Sequence, residues 1–238
     1  MADLVWGAGS SRRALFVHGI ASSAQVWWRV ASALAEVGVE TTAVDLRGHG
    51  RSPRADSYSL DDCVGDLEWH VQREGPFDVV VGHSFGGSVV GLADVGGAAK
   101  VLIDPVIETG DAVELGAQLL AELKETPAEI AAANPSWHPD DVHWKAWSAA
   151  QMTHATMQRL LDQWLPSDVT DAVAGVGGAC VVLAADPSAG GLLSTRAAAA
   201  LAANPHIDVI DLPGVGHSVH RQDPAIVIDA VVRVLGLQ

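Results

Sequence analysis

The chain has 238 residues, enough for one sizeable hydrophobic core in a single α/β domain. Its hydrophobic fraction of 49% and charged fraction of 18% are ordinary for a globular protein. A formal net charge of −15 repels phosphate backbones and anionic lipid, which argues against nucleic acid or a membrane surface as partner, and it disfavours a highly anionic substrate unless a local pocket overrides it.

In chain order, short β-branched runs alternate with helix-like segments. ALFVHG (14–19) reads as a buried strand, and SSAQVWWRVASALAEVG (22–38) as a helix with a glycine stop. TTAVDL (41–46) is the next strand and runs into the loop RGHGRSPRADSYS. SLDDCVGDLEWHVQREG (59–75) is a helix with Ser59 as N-cap. DVVVGHS (78–84) predicts a strand and GGSVVGLADV (86–95) a short helix. KVLIDPV (100–106), CVVLAAD (180–186) and IDVIDL (207–212) predict three further strands, with helices over 194–204 and 223–237. Strands that are apolar nearly throughout are buried on both faces, so the pattern implies a doubly wound, mostly parallel sheet with ligand sites at the carboxyl ends of its strands.

One stretch breaks the alternation. Residues 108–178 contain no convincing strand and hold Trp137, Trp144, Trp147 and Trp164. The expected organisation is a core of residues 1–107 and 179–238 with a helical cap over 108–178, covering the strand ends at Asp104 and Asp186. Cys63 and Cys180 have neither a CxxC partner nor zinc-like spacing with histidine, so two buried free thiols and no metal are expected. The N-terminal stretch MADLVWGAGSSRR carries Asp3 and no apolar run of signal-peptide length, and no stretch of about 18 apolar residues occurs anywhere, so a soluble, cytoplasmic protein is expected.

The chemistry concentrates at Gly82-His83-Ser84-Phe85-Gly86, which fits G-x-S-x-G between an apolar strand and a glycine-initiated helix. A sharp strand-to-helix turn strains the serine backbone and exposes its Oγ, and flanking glycines make room for it. The Phe85 N–H, at a helix start, can stabilise an oxyanion. His217, in LPGVGHSVHRQDP after the last strand, is the candidate base, with His220 as competitor. The acid partner is favoured to be Asp186, which ends CVVLAAD, with Asp104, which ends KVLID, as the alternative. The second oxyanion donor is expected from His18-Gly19-Ile20, at the Ile20 N–H, with Ala21 close behind. His18, Trp28, His83, Trp137, Trp144 and Trp147 are expected to line a substrate pocket.

Four stretches, FVHGIASSAQVWWRVASALAEVGVETTAVDLRGHGRS, GHSFGG, LAAD and GVGHSVHRQDP, resemble in order the HG loop, nucleophile elbow, acid strand and histidine loop of the α/β-hydrolase superfamily. The resemblance implies Ser84 as nucleophile, His217 as base, Asp186 as acid, Ile20 and Phe85 as oxyanion donors, and a mostly structural role for Asp45, Arg47 and His49. It departs from the family pattern before residue 14, where an edge strand is expected to be missing or reduced to LVW at 4–6. A serine at the elbow is unlike the aspartate that epoxide hydrolases and haloalkane dehalogenases of this fold need. The implied activity is a serine hydrolase of a carboxylic ester or lactone of a small, largely apolar substrate, acting without cofactor as a monomer or homodimer. C–C bond hydrolase, lyase, cofactor-free haloperoxidase or small-molecule receptor are alternatives on the same fold.

Overall fold

A computed structural model describes residues 1–110 and 112–237. Its seven strands are β1 (Ala2–Trp6), β2 (Arg12–Val17), β3 (Val39–Asp45), β4 (Val79–His83), β5 (Ala99–Ile103), β6 (Cys180–Ala185) and β7 (Ile207–Leu212). They form one sheet in the order β1-β3-β2-β4-β5-β6-β7, with β1 antiparallel to β3 and every other pairing parallel. The helices between and after them are α1 (Trp28–Glu36), α2 (Leu60–Glu74), α3 (Phe85–Leu92), α4 (Ala112–Glu122), α5 (Pro127–Ala133), α6 (Pro139–Gln151), α7 (His154–Trp164), α8 (Thr170–Ala174), α9 (Thr195–Ala202), α10 (Val219–Gln222) and α11 (Pro224–Val234).

The two-residue period of the strands sorts their side chains into two layers. Leu15, Val17, Val80 and Leu102 point to the face covered by α2, α3, α7, α8 and α9. Ala14, Phe16, Val79, Val81, Val101 and Ile103 point to the face covered by α1 and α11. All ten are fully buried, as expected for parallel strands covered on both sides. Ser59 caps α2 by accepting the Asp62 N–H at 3.2 Å. Buried Lys100 donates to the Gly91 and Ala93 carbonyls, both at 2.9 Å, satisfying the carboxyl end of α3.

The amino-terminal edge differs from expectation. Ala2–Trp6 is a full five-residue strand, in register with Asp45 to Thr41 of β3. Its side chains alternate between half-buried and exposed, so it covers the edge of β3 without contributing a fully buried residue. The segment 24–27 also differs: it opens as a 3₁₀ turn before α1 begins at Trp28.

Residues 108–178 hold five of the helices, α4 to α8, and no strand of the sheet among the described residues. They are not a separate body. Met157, Leu160, Leu161 and Trp164 of α7 and Val173 of α8 share one apolar cluster with β2, β4 and β5. Both cysteines are buried free thiols, and burial pushes them up to about 12 (Cys63) and about 11 (Cys180), so neither is a nucleophile at neutral pH. No helix among the described residues is long and apolar enough to cross a membrane.

The strand order reverses between β2 and β4, since β3 lies on one side of β2 and β4 on the other. A doubly wound sheet opens a crevice at the carboxyl ends of the strands on either side of such a reversal. Here those ends carry His18-Gly19-Ile20 and Ser84.

Candidate active site

Three non-glycine residues among those described have left-handed backbone angles: Ala21 (φ 51°), Ser84 (φ 57°) and Asp104 (φ 39°). They end or follow β2, β4 and β5, so backbone strain gathers at this crevice. Ser84, at ψ −123°, is the turn between β4 and α3. Its N–H still donates to the Ile103 carbonyl of β5 at 3.0 Å, and its own carbonyl accepts from Gly87 and Val106. A Cβ on Gly82 would run into the Gly86 carbonyl, and one on Gly86 into the carbonyls of Val17 and His18. The elbow is therefore pressed against the end of β2, and its glycines make that approach possible.

The β2 loop meets the elbow at Gly19, where a side-chain carbon would sit 2.9 Å from Ser84 Cβ. His18 fixes this loop. Its Nε2 accepts the Leu46 N–H at 3.1 Å, so the proton is on Nδ1, which donates to the Gly19 carbonyl at 2.7 Å. The residue that follows in this loop, Ile20, lines the same cavity as Ser84. His18 was expected in the pocket wall, but it is fully buried behind the loop and does not line the cavity. Burial drops its pKa to about 4, so it is neutral.

His217 lies in the loop after β7. Its Nδ1 donates to Asp104 Oδ2 at 2.6 Å, which leaves Nε2 to accept a proton. Asp104 is fully buried and accepts two further N–H groups, Leu192 at Oδ2 (2.8 Å) and Leu193 at Oδ1 (3.2 Å). The preference for Asp186 is overturned here. Asp186 accepts from the Ser188 N–H (2.8 Å) and hydroxyl (2.7 Å) and from the Gly214 N–H (2.8 Å), and makes no bond to His217. The reason is strand order: β5 is beside β4, whereas β6 is one strand further out, so Asp186 starts about 10 Å from the strand that carries Ser84.

His83 donates from Nε2 to the His217 carbonyl at 3.0 Å, and the two rings are 4.6 Å apart. Burial first, then the nearby His217 and Arg221, holds it well below the usual histidine range. A neighbour of the elbow serine therefore anchors the loop that carries His217, a role that sequence adjacency does not reveal. His220, the competing base, is buried between Trp27 and His83, with ring centroids at 4.7 and 4.6 Å, and does not reach the cavity.

A cavity of about 370 Å³ opens over these groups. Ser84, His83, His217, Gly19 and Ile20 form its floor, and the 108–178 segment supplies much of its wall, including Leu115, Leu119, Ile130, Trp137 and Trp164. Trp164 also stacks edge-on against Phe85 at 5.1 Å. Of the six expected pocket residues, His83 and Trp137 line the cavity, whereas His18, Trp28, Trp144 and Trp147 do not. Trp28 instead donates its indole N–H to Asp141 at 2.9 Å, and Trp144 and Trp147 pack edge-on against each other. Charged groups that the sequence reading did not single out, Glu122, Lys145 and Arg221, are in the wall. The D-x-x-G-H-G loop is scaffolding. Asp45 accepts the Ala24 and Arg51 N–H groups at 2.7 and 2.8 Å, Arg47 is bidentate to Asp66, and the His49 ring bonds the Arg47 carbonyl.

Comparison with known proteins agrees with this architecture. Lipase LipV of Mycobacterium tuberculosis is 41% identical over 108 residues, 43% of this chain and 40% of that protein. Probable esterase PIR7A of Oryza sativa subsp. indica is 40% identical over 83 residues, 33% of this chain and 32% of its own length. The matches thus span less than half of either curated relative. Among solved structures, that of E-2-(Acetamidomethylene)succinate Hydrolase superposes over 99% of both chains with a TM-score of 0.81 at 24% identity, a likeness of fold. The family model described as the alpha/beta hydrolase family matches residues 14–230, nearly the whole sheet and all the groups just placed, and the chain belongs to that family.

Proposed function

We propose that the protein is a serine hydrolase that cleaves a carboxylic ester or lactone through an acyl-enzyme on Ser84. The observation that carries this reading is the Asp104–His217 bond at 2.6 Å, set in the same cavity as a serine whose backbone is held in an elbow. Sequence relatives described as a lipase and a probable esterase support ester chemistry.

In the proposed cycle His217 Nε2 takes the Ser84 hydroxyl proton as Oγ attacks the substrate carbonyl. Asp104 holds the ring tautomer and stabilises the imidazolium. The N–H groups of Ile20 and Phe85 receive the oxyanion, each worth about 3 kcal/mol of barrier. The imidazolium returns its proton to the departing alkoxide. Water, deprotonated by the same histidine, then attacks the acyl-enzyme, and the carboxylic acid and free serine are released. Trp137 and Trp164 offer apolar wall area for the substrate, but Glu122, Lys145 and Arg221 make the cavity more polar than a tryptophan-lined slot.

Short-chain nitrophenyl esters test the reading. Wild-type protein is expected to hydrolyse them, and Ser84→Ala to lose about 10⁴-fold or more in kcat. A Ser84→Ala protein that keeps most of the wild-type rate would sink it.

A further inference from the structure

Arg221 lies four residues after His217, on α10, and is only 4% exposed. Its guanidinium is in the wall of the cavity that Ser84 and His217 line, with its face over the Trp137 ring at 4.8 Å. One terminal nitrogen reaches the Ser218 hydroxyl and the other that of Ser22, both at 3.3 Å, near the outer limit for such bonds. Its buried Nε–H has no partner. No carboxylate among the described residues lies within 4 Å of it. Burial pushes its pKa down to about 10, which leaves it a cation at neutral pH.

The acids whose charge it feels are already engaged. Asp141 accepts from the Trp28 indole (2.9 Å) and Arg29 (3.2 Å), and Glu122 accepts from Lys145 (2.8 Å). Arg29, Lys145 and Arg221 thus share two carboxylates, and the cluster is one anion short. Glu125, the remaining acid in the cavity lining, is solvent-exposed. A desolvated guanidinium normally ends in a fork-to-fork pair with a planar anion, and here its terminal nitrogens have only two long hydroxyl bonds in a residue that lines the cavity.

We propose that the site selects esters carrying a second, ionised carboxylate, and that Arg221 receives it. The proposal rests on Ser84 as the hydrolytic nucleophile and names the substrate class for that site. Trp137 backs the guanidinium and the Ser22 and Ser218 hydroxyls flank it, so the incoming carboxylate meets a preset plane of donors. The overall charge of −15 works against an anion in bulk solution, so the preference is local to the cavity.

Monoethyl glutarate and ethyl 5-methylhexanoate, which replaces the carboxylate by an isopropyl group of similar shape, separate the effect of charge from that of size. The ratio of their kcat/KM values in wild-type protein is expected to favour the glutarate ester by about 10- to 100-fold. Arg221→Met is expected to bring the ratio to about one, whatever happens to the absolute rates, and Arg221→Lys to leave an intermediate value. A wild-type ratio near one, or a ratio that survives in Arg221→Met, overturns the proposal. The wild-type ratio alone decides if the methionine variant does not fold. Calorimetric titration of glutarate into Ser84→Ala protein separates the two levels of inference. If wild-type protein cleaves neither ester, the nucleophile assignment fails, yet glutarate binding that Arg221→Met weakens about 10-fold upholds the carboxylate site. Absence of glutarate binding overturns it.

Discussion

The carboxyl ends of β5 and β6 begin from the same local sequence: an apolar parallel strand, then aspartate, then proline, as Ile103-Asp104-Pro105 and Ala185-Asp186-Pro187. They end in different chemistry. Asp104 is fully buried, has left-handed backbone angles, and divides its oxygens between His217 and the Leu192 and Leu193 N–H groups. Asp186 is half-exposed at φ −68° and caps the turn Pro187–Ala189. Each aspartate is held by the loop of the next strand outward. The loop after β6 donates to Asp104, and Gly214, in the loop after β7, donates to Asp186. A carboxylate's partners in this sheet are therefore set by its distance in strands from Ser84, a tertiary quantity that the dipeptide Asp-Pro does not encode.

The strongest way to break this contrast is Asp104→Asn. The amide would either point its NH₂ at His217 Nδ1, forcing the proton to Nε2, or turn it toward the Leu192 and Leu193 N–H groups. Either arrangement loses the tautomer or the buried bonds. The expected outcome is a fall in kcat/KM on a nitrophenyl ester of about 10⁴-fold, with the far-ultraviolet circular dichroism of the folded protein retained. A loss smaller than about 10-fold would remove Asp104 from the proposed triad.

The two ends also titrate in different windows. The Ser84 side of the sheet is packed with imidazoles that burial keeps neutral, among them His18 at about 4 and His49 at about 3. In the unfolded chain a histidine titrates near about 6.5. Between these values the unfolded state binds more protons, so stability rises with pH through the window. It is complete above about pH 6.5 and is lost as the pH falls toward 4, with His18 alone contributing about 3 kcal/mol. The Asp186 carboxyl, held below the usual range by the Gly214 N–H and by Ser188, adds its dependence at lower pH, where the unfolded carboxylate begins to protonate. Urea midpoints at pH 7.5, 6, 5 and 4.5 are expected to fall monotonically, and His18→Gln to flatten the curve. A midpoint constant from pH 7.5 to 4.5 would contradict the neutral-histidine assignment.

What could be read from residues alone follows the range of the forces involved. The elbow was legible because its requirement is local: Gly82 and Gly86 are needed by backbone carbonyls within a few residues or one strand away. The placement of His217 beside a strand-end carboxylate was legible through chain order, since a loop after the last strand has a short list of destinations. Choosing Asp186 over Asp104 failed because both satisfy chain order and differ in how the neighbouring loops fold back. The pocket failed for a similar reason. Helical spacing shows that Trp144 and Trp147 share a face of α6, but not that this face turns from the cavity, while Trp137, just before α6, turns into it. The edge strand β1 was underestimated because half-buried residues alternating with exposed ones give a weak apolar signal. Arg221 lies in the stretch GVGHSVHRQDP, but nothing in its spacing marks it out from its neighbours. Its significance comes from the missing counter-ion, which only the packed structure reveals.

The smallest expected effect is the most discriminating. Asp186→Asn removes a charge but keeps one oxygen that can still accept the Ser188 N–H, so the Pro187–Ala189 turn persists with weaker bonds. The link to Gly214 matters more, because Gly214 and Val215, whose carbonyl accepts the Asp186 N–H at 2.8 Å, lie just before His217. The backbone bond to Val215 is unaffected by the substitution, and His83 still holds the His217 carbonyl from the other side. The histidine is thus anchored twice without the Asp186 side chain. The expected loss in kcat/KM is within about 3-fold, and the double variant Asp104→Asn/Asp186→Asn is expected to be no slower than Asp104→Asn beyond that factor, as for sites that do not share a partner. A 100-fold loss from Asp186→Asn alone would mean that the β6 carboxylate reaches His217 during turnover, and the contrast between the two strand ends would then hold only for the resting protein.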